Sequence, residues 1–355
     1  MTHTLIIHAT QHDPWFNLAL EEFLMEQLAQ HNQSPGSQDP AAELQAILYL
    51  WQNDNTVVIG RNQNAWAECL TGQLEAEGGR LARRSTGGGA VFHDLGNLNF
   101  SLILPRSQFN LDHNFDMILE AVASQGIQAE RSGRNDILAN GLKFSGNAFS
   151  LRKAVGLHHG TLLVHSEFSR VARYLTVSPA KLQAKGVSSV QSRITNLQVL
   201  NPDITIASLD QAMEQAFIRH YAVSGGAGND IIRADDTIYR ANARLKELHD
   251  HYASWEWRYG ESLAFDAAVE RKFDWGLLQL GFRIDKGMVR QAKAYSDALD
   301  CDLIAELPAL FTGCRFHSAE LADALRQLSD LDEGFGPSRR QMAADIGSLI
   351  QEQNW

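Results

Sequence analysis

The order of apolar and polar positions at the start of the chain predicts a strand, a helix and two further strands. Leu5–Ala9 is mostly apolar and predicts an edge strand, and Asp13-Pro14 has the composition of a helix N-cap followed by a first-turn proline. Runs of β-forming residues at 46–51 and 56–60, separated by a polar segment, predict a β-hairpin. Helical spacing then predicts a buried stripe that consists of Phe16, Leu20, Phe23, Leu24 and Leu28.

A glycine-rich segment at 224–230 divides the chain into two regions of regular pattern. Its composition is that of a linker, so we expect a domain boundary within 222–254 and assign residues 1–245 and 255–355 to two domains. The second region has no recognisable catalytic constellation. The remaining predicted elements are helices at 66–77, 239–251, 318–331 and 337–351, strands at 97–104, 161–164 and 277–284, and a hairpin turn at 285–287.

The segment 134–145 has the most specific local pattern in the chain. Asn140-Gly141 lies between two β-like runs and favours a two-residue type I′ turn. In the resulting register Leu138 faces Lys143 and Asp136 faces Ser145, which places Asp136 and Lys143 diagonally on one sheet face. Taken alone, this pair is interpreted as a surface ion pair. Beside a phosphate, the lysine would neutralise an oxyanion and the aspartate would hold Mg²⁺ or orient the lysine.

Composition excludes several classes of protein. A chain of 355 residues with 44% hydrophobic and 21% charged residues is typical of a globular protein with two domains. No apolar run reaches the length of a membrane span and the N-terminus lacks signal-peptide features, so we expect a cytoplasmic protein without membrane partners. The net charge of -11 argues against a nucleic-acid surface. Three cysteines, Cys69, Cys301 and Cys314, indicate neither a disulfide framework nor a zinc site.

The stretch 83–94 combines two arginines, two hydroxyl residues and three successive glycines before an apolar run. Glycines bring backbone N–H groups close to an anion, and Arg84 would add a charge-assisted contact to phosphate or carboxylate. A flexible turn is the alternative interpretation. The stretch is neither a Walker A motif nor a Rossmann fingerprint, because the required Lys-Ser/Thr and third glycine are missing.

Two further segments carry candidate chemistry. The segment 179–193 is basic, rich in serine and contains Lys185-Gly186, so it is interpreted either as a loop that closes on an anion or as a solvated turn. His158 and His159 are adjacent on a predicted strand and point to opposite faces, which predicts structural hydrogen bonding and not a shared metal.

Together these segments resemble one family of enzymes, and the resemblance covers most of the chain. The segments that carry it, in order, are Arg83–Asn97, Arg134–Ile137, Lys143–Ala148, His158–Leu163, Lys185–Val190 and Trp255–Gly260. They resemble lipoate-protein ligase A. The resemblance implies an α/β (α+β) catalytic domain with a mixed sheet, like that of the biotin and lipoate ligases, followed by a smaller α+β accessory domain.

The resemblance also implies roles for individual residues. Lys143 would be the catalytic residue and would contact both the lipoyl carbonyl oxygen and the phosphate, and Asp136 would hold Mg²⁺ or order the adenylate. The implied ATP-binding residues are Arg84, Gly89, Ala90, Val91, Phe92, Asp136, Lys143 and Lys185. The implied lipoate-binding residues are Arg84, Ser85, Gly87, Gly88, His93 and Lys143.

The implied reaction is ATP-dependent activation of lipoate to lipoyl-AMP, followed by transfer to a lysine of a lipoyl-accepting protein. The implied acceptors are the lipoyl domains of 2-oxoacid dehydrogenases and the glycine-cleavage carrier protein. An octanoyl or lipoyl transferase that uses a cysteine thioester is a rival reading, but no cysteine occurs between Cys69 and Cys301. A biotin ligase is a second rival, and a non-catalytic protein that binds lipoyl carriers is a third.

Overall fold

The computed structural model describes residues 2–33, 43–175, 194–221, 230–260, 265–328 and 338–355. These residues form two compact units that interleave along the sequence. The first unit consists of residues 1–58, 70–82 and 91–258, and the second consists of 59–69, 83–90 and 259–355. The assignment of residues 1–245 and 255–355 to two domains stays a prediction, because compact units need not coincide with independently folding domains.

The described residues contain fourteen strands, which we number in chain order. They are β1 (Thr2–His8), β2 (Glu43–Trp51), β3 (Thr56–Ile59), β4 (Arg80–Arg83), β5 (Val91–His93), β6 (Asn97–Pro105), β7 (Glu130–Ser132), β8 (Asp136–Ala139), β9 (Leu142–Leu151), β10 (Val155–Leu163), β11 (Asp230–Asp235), β12 (Ala267–Phe273), β13 (Gly276–Asp285) and β14 (Met288–Ser296).

The same residues contain twelve α-helices, and none of them is both long enough and apolar enough to cross a membrane. They are α1 (Pro14–Gln33), α2 (Ala65–Glu68), α3 (Thr71–Ala76), α4 (Leu111–Ser124), α5 (Phe168–Tyr174), α6 (Leu197–Leu200), α7 (Ile206–Tyr221), α8 (Ala243–Ala253), α9 (Trp255–Tyr259), α10 (Cys301–Phe311), α11 (Ser318–Ala324) and α12 (Arg339–Glu352). Short 3₁₀ turns occur at Arg106–Gln108, Asp236–Tyr239 and Leu325–Leu328.

An eight-stranded mixed sheet forms the centre of the first unit, in the order β11-β1-β2-β6-β10-β9-β8-β7. Strand β1 pairs in parallel with both β11 and β2, and the pairs from β2 to β7 are antiparallel. The prediction that Leu5–Ala9 is an edge strand was therefore wrong. The segment that covers this edge, β11, lies more than half the chain away in sequence, so local pattern could not reveal it.

Helix α1 packs against this sheet through the predicted apolar stripe. Leu20, Phe23, Leu24 and Leu28 are buried in the same core as Ile47 and Tyr49 of β2, and Phe16 packs at its margin. Helix α8 adds Leu245, Leu248 and Tyr252 to that core. It confirms the helix predicted over 239–251, except that the α-helix begins at Ala243 and ends at Ala253. Burial of each large apolar side chain contributes about 1.5–3 kcal/mol to folding.

The hairpin predicted from 46–51 and 56–60 was wrong, although both segments are strands. Strand β2 lies between β1 and β6 in the large sheet, whereas β3 belongs to a separate three-stranded sheet of order β4-β3-β5. Residues 46–51 are buried on both faces, which is typical of an interior strand and gives no alternation to mark its partner. The helix predicted over 66–77 is two short helices, α2 and α3.

The C-terminal part of the second unit is an antiparallel sheet, β12-β13-β14, covered by α10, α11 and α12. The turn between β13 and β14 has φ of 52° at Lys286 and 74° at Gly287, which confirms the predicted hairpin turn. The helix predicted over 318–331 ends earlier as an α-helix and continues as a 3₁₀ turn.

His8, at the end of β1, makes folding stability depend on pH. Its Nδ1 lies 3.2 Å from Asp210 Oδ1 and its Nε2 lies 3.4 Å from Glu214 Oε2, both on α7. The hydrogen bond to Asp210 raises the pKa of His8 against the opposing effect of burial. A raised folded-state pKa stabilises the fold fully below the unfolded pKa of about 6.5 and loses that effect as pH rises through the folded pKa.

We therefore expect His8→Gln to be more destabilising in mild acid than in mild base. The difference in unfolding free energy between wild type and variant should be about 0.5 kcal/mol larger near pH 5.5 than near pH 8.5, because the pair is partly solvated. Urea unfolding at the two pH values measures this difference. An equal deficit at both values would show that protonated His8 is not stabilised by the helix.

Candidate functional site

The β8–β9 hairpin carries the lysine and the aspartate on which the predicted chemistry depends. Asn140 and Gly141 both have positive φ, 51° and 75°, as a type I′ turn requires. Leu138 pairs with Lys143 as predicted, but a bulge then shifts the register, so that Asp136 pairs with Gly146 and not with Ser145. The extra residue in β9 could not be predicted, because a bulge has no signature in this sequence.

Lys143 and Asp136 form a direct ion pair on this hairpin. Lys143 Nζ lies 2.6 Å from Asp136 Oδ1, and the two side chains are 34% and 37% exposed. A Cβ atom at Gly146 would lie 3.2 Å from this Nζ, so the glycine leaves room for the ammonium. The lysine backbone is fixed from the other side, because its carbonyl accepts a hydrogen bond of 2.8 Å from Thr195 N–H. The pair is thus positioned by the backbone and still reachable from solvent.

Behind this pair, Asn147 and Asn135 bind each other reciprocally. Asn147 N–H donates to Asn135 O at 2.9 Å, and Asn135 Nδ2 donates to Asn147 O at the same distance. Asn147 Nδ2 donates to Asn135 O and to Ser145 Oγ. Its Oδ1 lies 2.9 Å from His158 Nε2. The network fixes the residue that precedes Asp136.

His158 is neutral in this network. The imidazole is fully buried, and burial, reinforced by His159 and Arg131, lowers its pKa well below the ordinary value. Asn147 Oδ1 is an acceptor, so His158 Nε2 carries the proton and donates. Its Nδ1 has no hydrogen-bond partner within the described ranges, as expected for the bare nitrogen of a neutral ring.

Strand β5, which follows residues 83–90 (the glycine stretch), places Val91, Phe92 and His93 in the first unit. Phe92 is buried, pairs with Val57 and packs on Tyr174 with a ring separation of 5.6 Å. His93 is also buried, and its Nδ1 lies 3.2 Å from Asn53 Nδ2. Val91 is half-buried.

The glycine stretch itself belongs to the second unit, and Arg84 is folded back onto it. Its Nε and Nη2 donate to Gly87 O at 3.1 and 2.7 Å, and Nη2 also donates to Gly89 O at 2.8 Å. Gly88 has a φ of 92°, which residues with a side chain rarely adopt. The guanidinium therefore shapes the loop and is buried in it.

Arg83, the neighbouring cation, has a similar structural role. Its Nη1 donates to the carbonyl oxygens of Gly60, Arg61 and Gln63 at 3.1, 2.9 and 2.6 Å. Burial lowers the pKa of this guanidinium to about 10, and the residue stays charged at neutral pH. Arg61 N–H in turn donates to Thr86 O at 2.9 Å. Carbonyl groups of 60–63 thus solvate a buried charge.

A C-terminal segment of the same unit packs directly against the glycine stretch. Gly88 N–H donates to Ala298 O at 3.2 Å, and Asn62 Nδ2 donates to Cys301 O at 2.6 Å. Arg61 Nη1 forms an ion pair of 2.6 Å with Asp302. Cys301 Sγ lies 3.6 Å from Ser85 O. Contacts with residues 298–302 therefore help to fix the conformation of the glycine stretch, although these residues are far from it in sequence.

Comparison with known families identifies the chain. The lipoyl protein ligase A/B catalytic domain matches residues 13–218, more than half of the 355 residues. The chain belongs to the lipoate-protein ligase family. The bacterial lipoate protein ligase C-terminus matches residues 262–350, so both parts of the chain have counterparts in this family.

Solved structures of ligases agree with this assignment. The chain is similar to LipL1 of P. falciparum in complex with lipoate, at 29% identity and a TM-score of 0.82, over 99% of this chain and 100% of that one. It is similar to a bipartite lipoate protein ligase of Thermoplasma acidophilum, at 25% identity and 0.57, over 75% and 100%. A lipoate-protein ligase A bound with ATP is 25% identical, with a TM-score of 0.55, over 73% and 99%.

The structure brings together two groups of the predicted site residues of this chain. On the β8–β9 hairpin, Lys143 forms an ion pair with Asp136. In the loop of the second unit, Arg84 donates hydrogen bonds to the first and third of three successive glycines. Ser85, Gly89 and Ala90 are half-buried in that loop. Lys185 lies outside the described residues, as does the whole of the predicted basic loop 179–193. The individual roles of these residues stay predictions.

The sequence pattern did not predict one buried polar network of the ligase fold. Glu21 is buried in the apolar face of α1, and its Oε1 lies 2.8 Å from His159 Nδ1. Ser101 Oγ donates to the same oxygen at 2.5 Å and accepts from Trp51 Nε1 at 3.0 Å. The only signal was a carboxylate inside an apolar helical stripe. Hydrogen bonding of His159 agrees with its predicted structural role.

Proposed function

We propose that this chain is an ATP-dependent lipoate-protein ligase that forms lipoyl-AMP and transfers the lipoyl group to a lysine. Family membership supports the reaction class. Among the similar structures, one is a complex with lipoate and another is bound with ATP, which are the two substrates of the proposed first step. The observation that carries the proposal is the Lys143–Asp136 pair at 2.6 Å.

In the first step, a carboxylate oxygen of lipoate attacks the α-phosphorus of ATP and the bond to pyrophosphate breaks. Negative charge accumulates on the phosphoryl oxygens while two anions are brought together, so the step depends on positioning and electrostatic stabilisation. The half-exposed ammonium of Lys143 can face both the carboxyl oxygen and the phosphate. Asp136 holds that ammonium in place without burying it.

Asp136 is also the residue that would hold Mg²⁺. Magnesium is usually bound through one or two carboxylates together with substrate phosphates and water, and Asp136 provides one carboxylate with a second oxygen beyond the one on Lys143. No larger cluster of possible metal ligands occurs among the residues described. The ion would neutralise phosphate charge when bound. The donor set therefore fits a metal that arrives with ATP.

In the second step, the amine of an acceptor lysine attacks the acyl carbonyl, AMP leaves and the amine loses a proton. The T. acidophilum ligase was studied with its E2 lipoyl domain. By extension, we propose lipoyl domains of 2-oxoacid dehydrogenases and the glycine-cleavage carrier protein as acceptors for this chain.

A cysteine-based acyl transferase is the rival mechanism, and the environments of the thiols disfavour it. Burial raises the pKa of Cys301 to about 11 and also raises that of Cys314, whereas a nucleophilic cysteine needs a lowered pKa. Cys69 is buried as well. The described thiols are therefore poor nucleophiles.

Replacement of all three cysteines by alanine is expected to leave ligation within about twofold of wild type, because the proposed route needs no thioester. Discontinuous transfer assays with an isolated lipoyl domain measure this rate. Circular dichroism must confirm that the variant is folded, because Cys69 and Cys301 are buried. Loss of transfer in the folded variant would favour the thioester route.

The decisive test of the proposed function is ATP–pyrophosphate exchange with purified protein, Mg²⁺ and lipoate, without an acceptor. Exchange that depends on lipoate is expected, because adenylate formation is reversible and needs no acceptor lysine. Folded protein that fails to exchange, yet transfers lipoyl groups from lipoyl-AMP or an acyl carrier, would show that the chain is a transferase.

A further inference from the structure

Among the described residues, the imidazole of His158 is surrounded by aromatic rings and has one hydrogen-bond partner. The rings of Phe149, Phe115 and Phe100 lie 4.7, 4.9 and 5.4 Å from the imidazole. Within the described part of the chain, its hydrogen bond is the one to Asn147 Oδ1. Burying a polar ring costs free energy unless its bonds are satisfied, so an apolar ring would suit this environment better. We therefore attribute the presence of a histidine at this position to its hydrogen bond with Asn147.

The bond from His158 holds the Asn147 amide in the orientation that the bond from Nδ2 to Asn135 O also favours. With Oδ1 facing the imidazole, Nδ2 faces Asn135 O at 3.1 Å and Ser145 Oγ at 3.2 Å. A rotated amide would present an NH₂ group to the Nε2–H donor and an oxygen to Asn135 O, which are repulsive contacts. A neutral donor at this position therefore selects one orientation.

The oriented amide fixes the start of β8. Asn135 O accepts from both the backbone and the side chain of Asn147, and Asn135 Nδ2 returns a bond to Asn147 O. The next residue is Asp136, whose carboxylate holds Lys143 Nζ. Three hydrogen bonds thus hold the backbone beside the aspartate, just beyond the bulge in β9.

The neighbouring strand leaves space for this arrangement. A Cβ atom at Gly160 would lie 2.6 Å from Asn147 Oδ1 and 2.8 Å from the ring of Phe100. Gly160 pairs with Asn147 on one side and with Phe100 on the other. A side chain there would displace the amide oxygen from His158. The glycine at position 160 of β10 therefore leaves the space that the Asn147 amide of β9 occupies.

We propose that His158 is a positioning residue that sets the Lys143–Asp136 pair through Asn147 and Asn135. This inference rests on the proposed function of the pair in lipoate activation. His158 acts as a fixed, neutral hydrogen-bond donor, and it neither touches substrate nor transfers a proton.

The test compares His158→Phe with His158→Gln in ATP–pyrophosphate exchange. Phenylalanine fills the aromatic environment but cannot donate to Asn147, so kcat should fall about 10- to 100-fold with KM for lipoate and ATP changed less than about threefold, as expected when reacting groups are displaced slightly. Glutamine keeps a neutral N–H donor and should recover most of the lost kcat, with the pH profile of wild type.

Phe217→Leu is the control for stability, because Phe217 is buried in α7 and takes no part in the network. It should lower stability without lowering kcat. A second readout is amide hydrogen exchange of Asn147, whose N–H donates to Asn135 O. Exchange should accelerate in His158→Phe and return towards wild type in His158→Gln, in protein without substrate.

Several outcomes would overturn the inference. They are a His158→Phe variant with wild-type kcat, a His158→Gln variant as slow as His158→Phe, or unchanged hydrogen exchange at Asn147. If wild-type protein shows no ATP–pyrophosphate exchange, the proposed function fails. The hydrogen-exchange measurement would still decide whether His158 positions the start of β8.

Discussion

Replacement of Lys143 by alanine is expected to lower kcat/KM for lipoate-dependent ATP–pyrophosphate exchange about 100- to 1,000-fold. The lysine provides the positive charge that the phosphoryl oxygens face as their negative charge grows, and water is a weaker substitute because it must reorganise. The fold should be unaffected, because the side chain is 34% exposed and its partner Asp136 becomes solvated when the ammonium is removed. Exchange assays and circular dichroism on the same preparation measure both effects.

Lys153→Ala is the matched control for this variant. Lys153 is an exposed lysine in the turn between β9 and β10, close in sequence to the strand that carries Lys143. It removes the same charge without touching the ion pair, so its exchange rate should stay within about twofold of wild type. If Lys143→Ala retained more than about a fifth of wild-type activity, the proposed role of Lys143 in catalysis would be contradicted.

The predictions that the structure confirms rest on short, local signals. The helix after Asp13-Pro14 and the turns at Asn140-Gly141 and Lys286-Gly287 were predicted from adjacent residues. Each signal has a steric or hydrogen-bonding cause that acts within a few residues. The same holds for the pairing of Leu138 with Lys143, which lies close to the turn that determines it.

Predictions that depended on distant partners were the ones that failed. A bulge shifted the register of the β8–β9 hairpin beyond Leu138. Strand β2 pairs with β1 and β6 and not with β3. The edge of β1 is covered by β11, which no local pattern connects with it. Strand pairing between remote segments is determined by the whole core, so hydrophobic pattern alone leaves several pairings equally acceptable.

The candidate site shows the same division. Lys143 and Asp136 could be paired from the hairpin alone, and the structure places them 2.6 Å apart. Of the two arginines of the glycine stretch, Arg84 was predicted to contact an anionic ligand, a role that stays a prediction, and both donate to backbone carbonyl groups. Their partners could not be predicted, because a loop with three glycines has many conformations and its contacts with residues 298–302 span more than 200 positions.

Those contacts lead to the second large effect: Gly87→Ala is expected to destabilise the protein by about 3 kcal/mol. A Cβ atom at Gly87 would lie 2.2 Å from Ala298 O and 2.6 Å from Leu299 O. Both atoms belong to backbone, which cannot rotate away as a flexible side chain would. Relief of the overlap would separate the segments and break the bond from Gly88 N–H to Ala298 O. Urea unfolding measures the loss.

Gly89→Ala is the matched control, because it makes the same chemical change two residues away. A Cβ atom at Gly89 would have no heavy atom within 4 Å, and this glycine is not in the left-handed region of φ. Its unfolding free energy should stay within about 0.5 kcal/mol of wild type. Equal stabilities for the two variants would mean that the glycine stretch is not packed against residues 298 and 299 in solution. A selective loss at position 87 would show that Gly87 is required for close packing whether or not it also contacts a ligand.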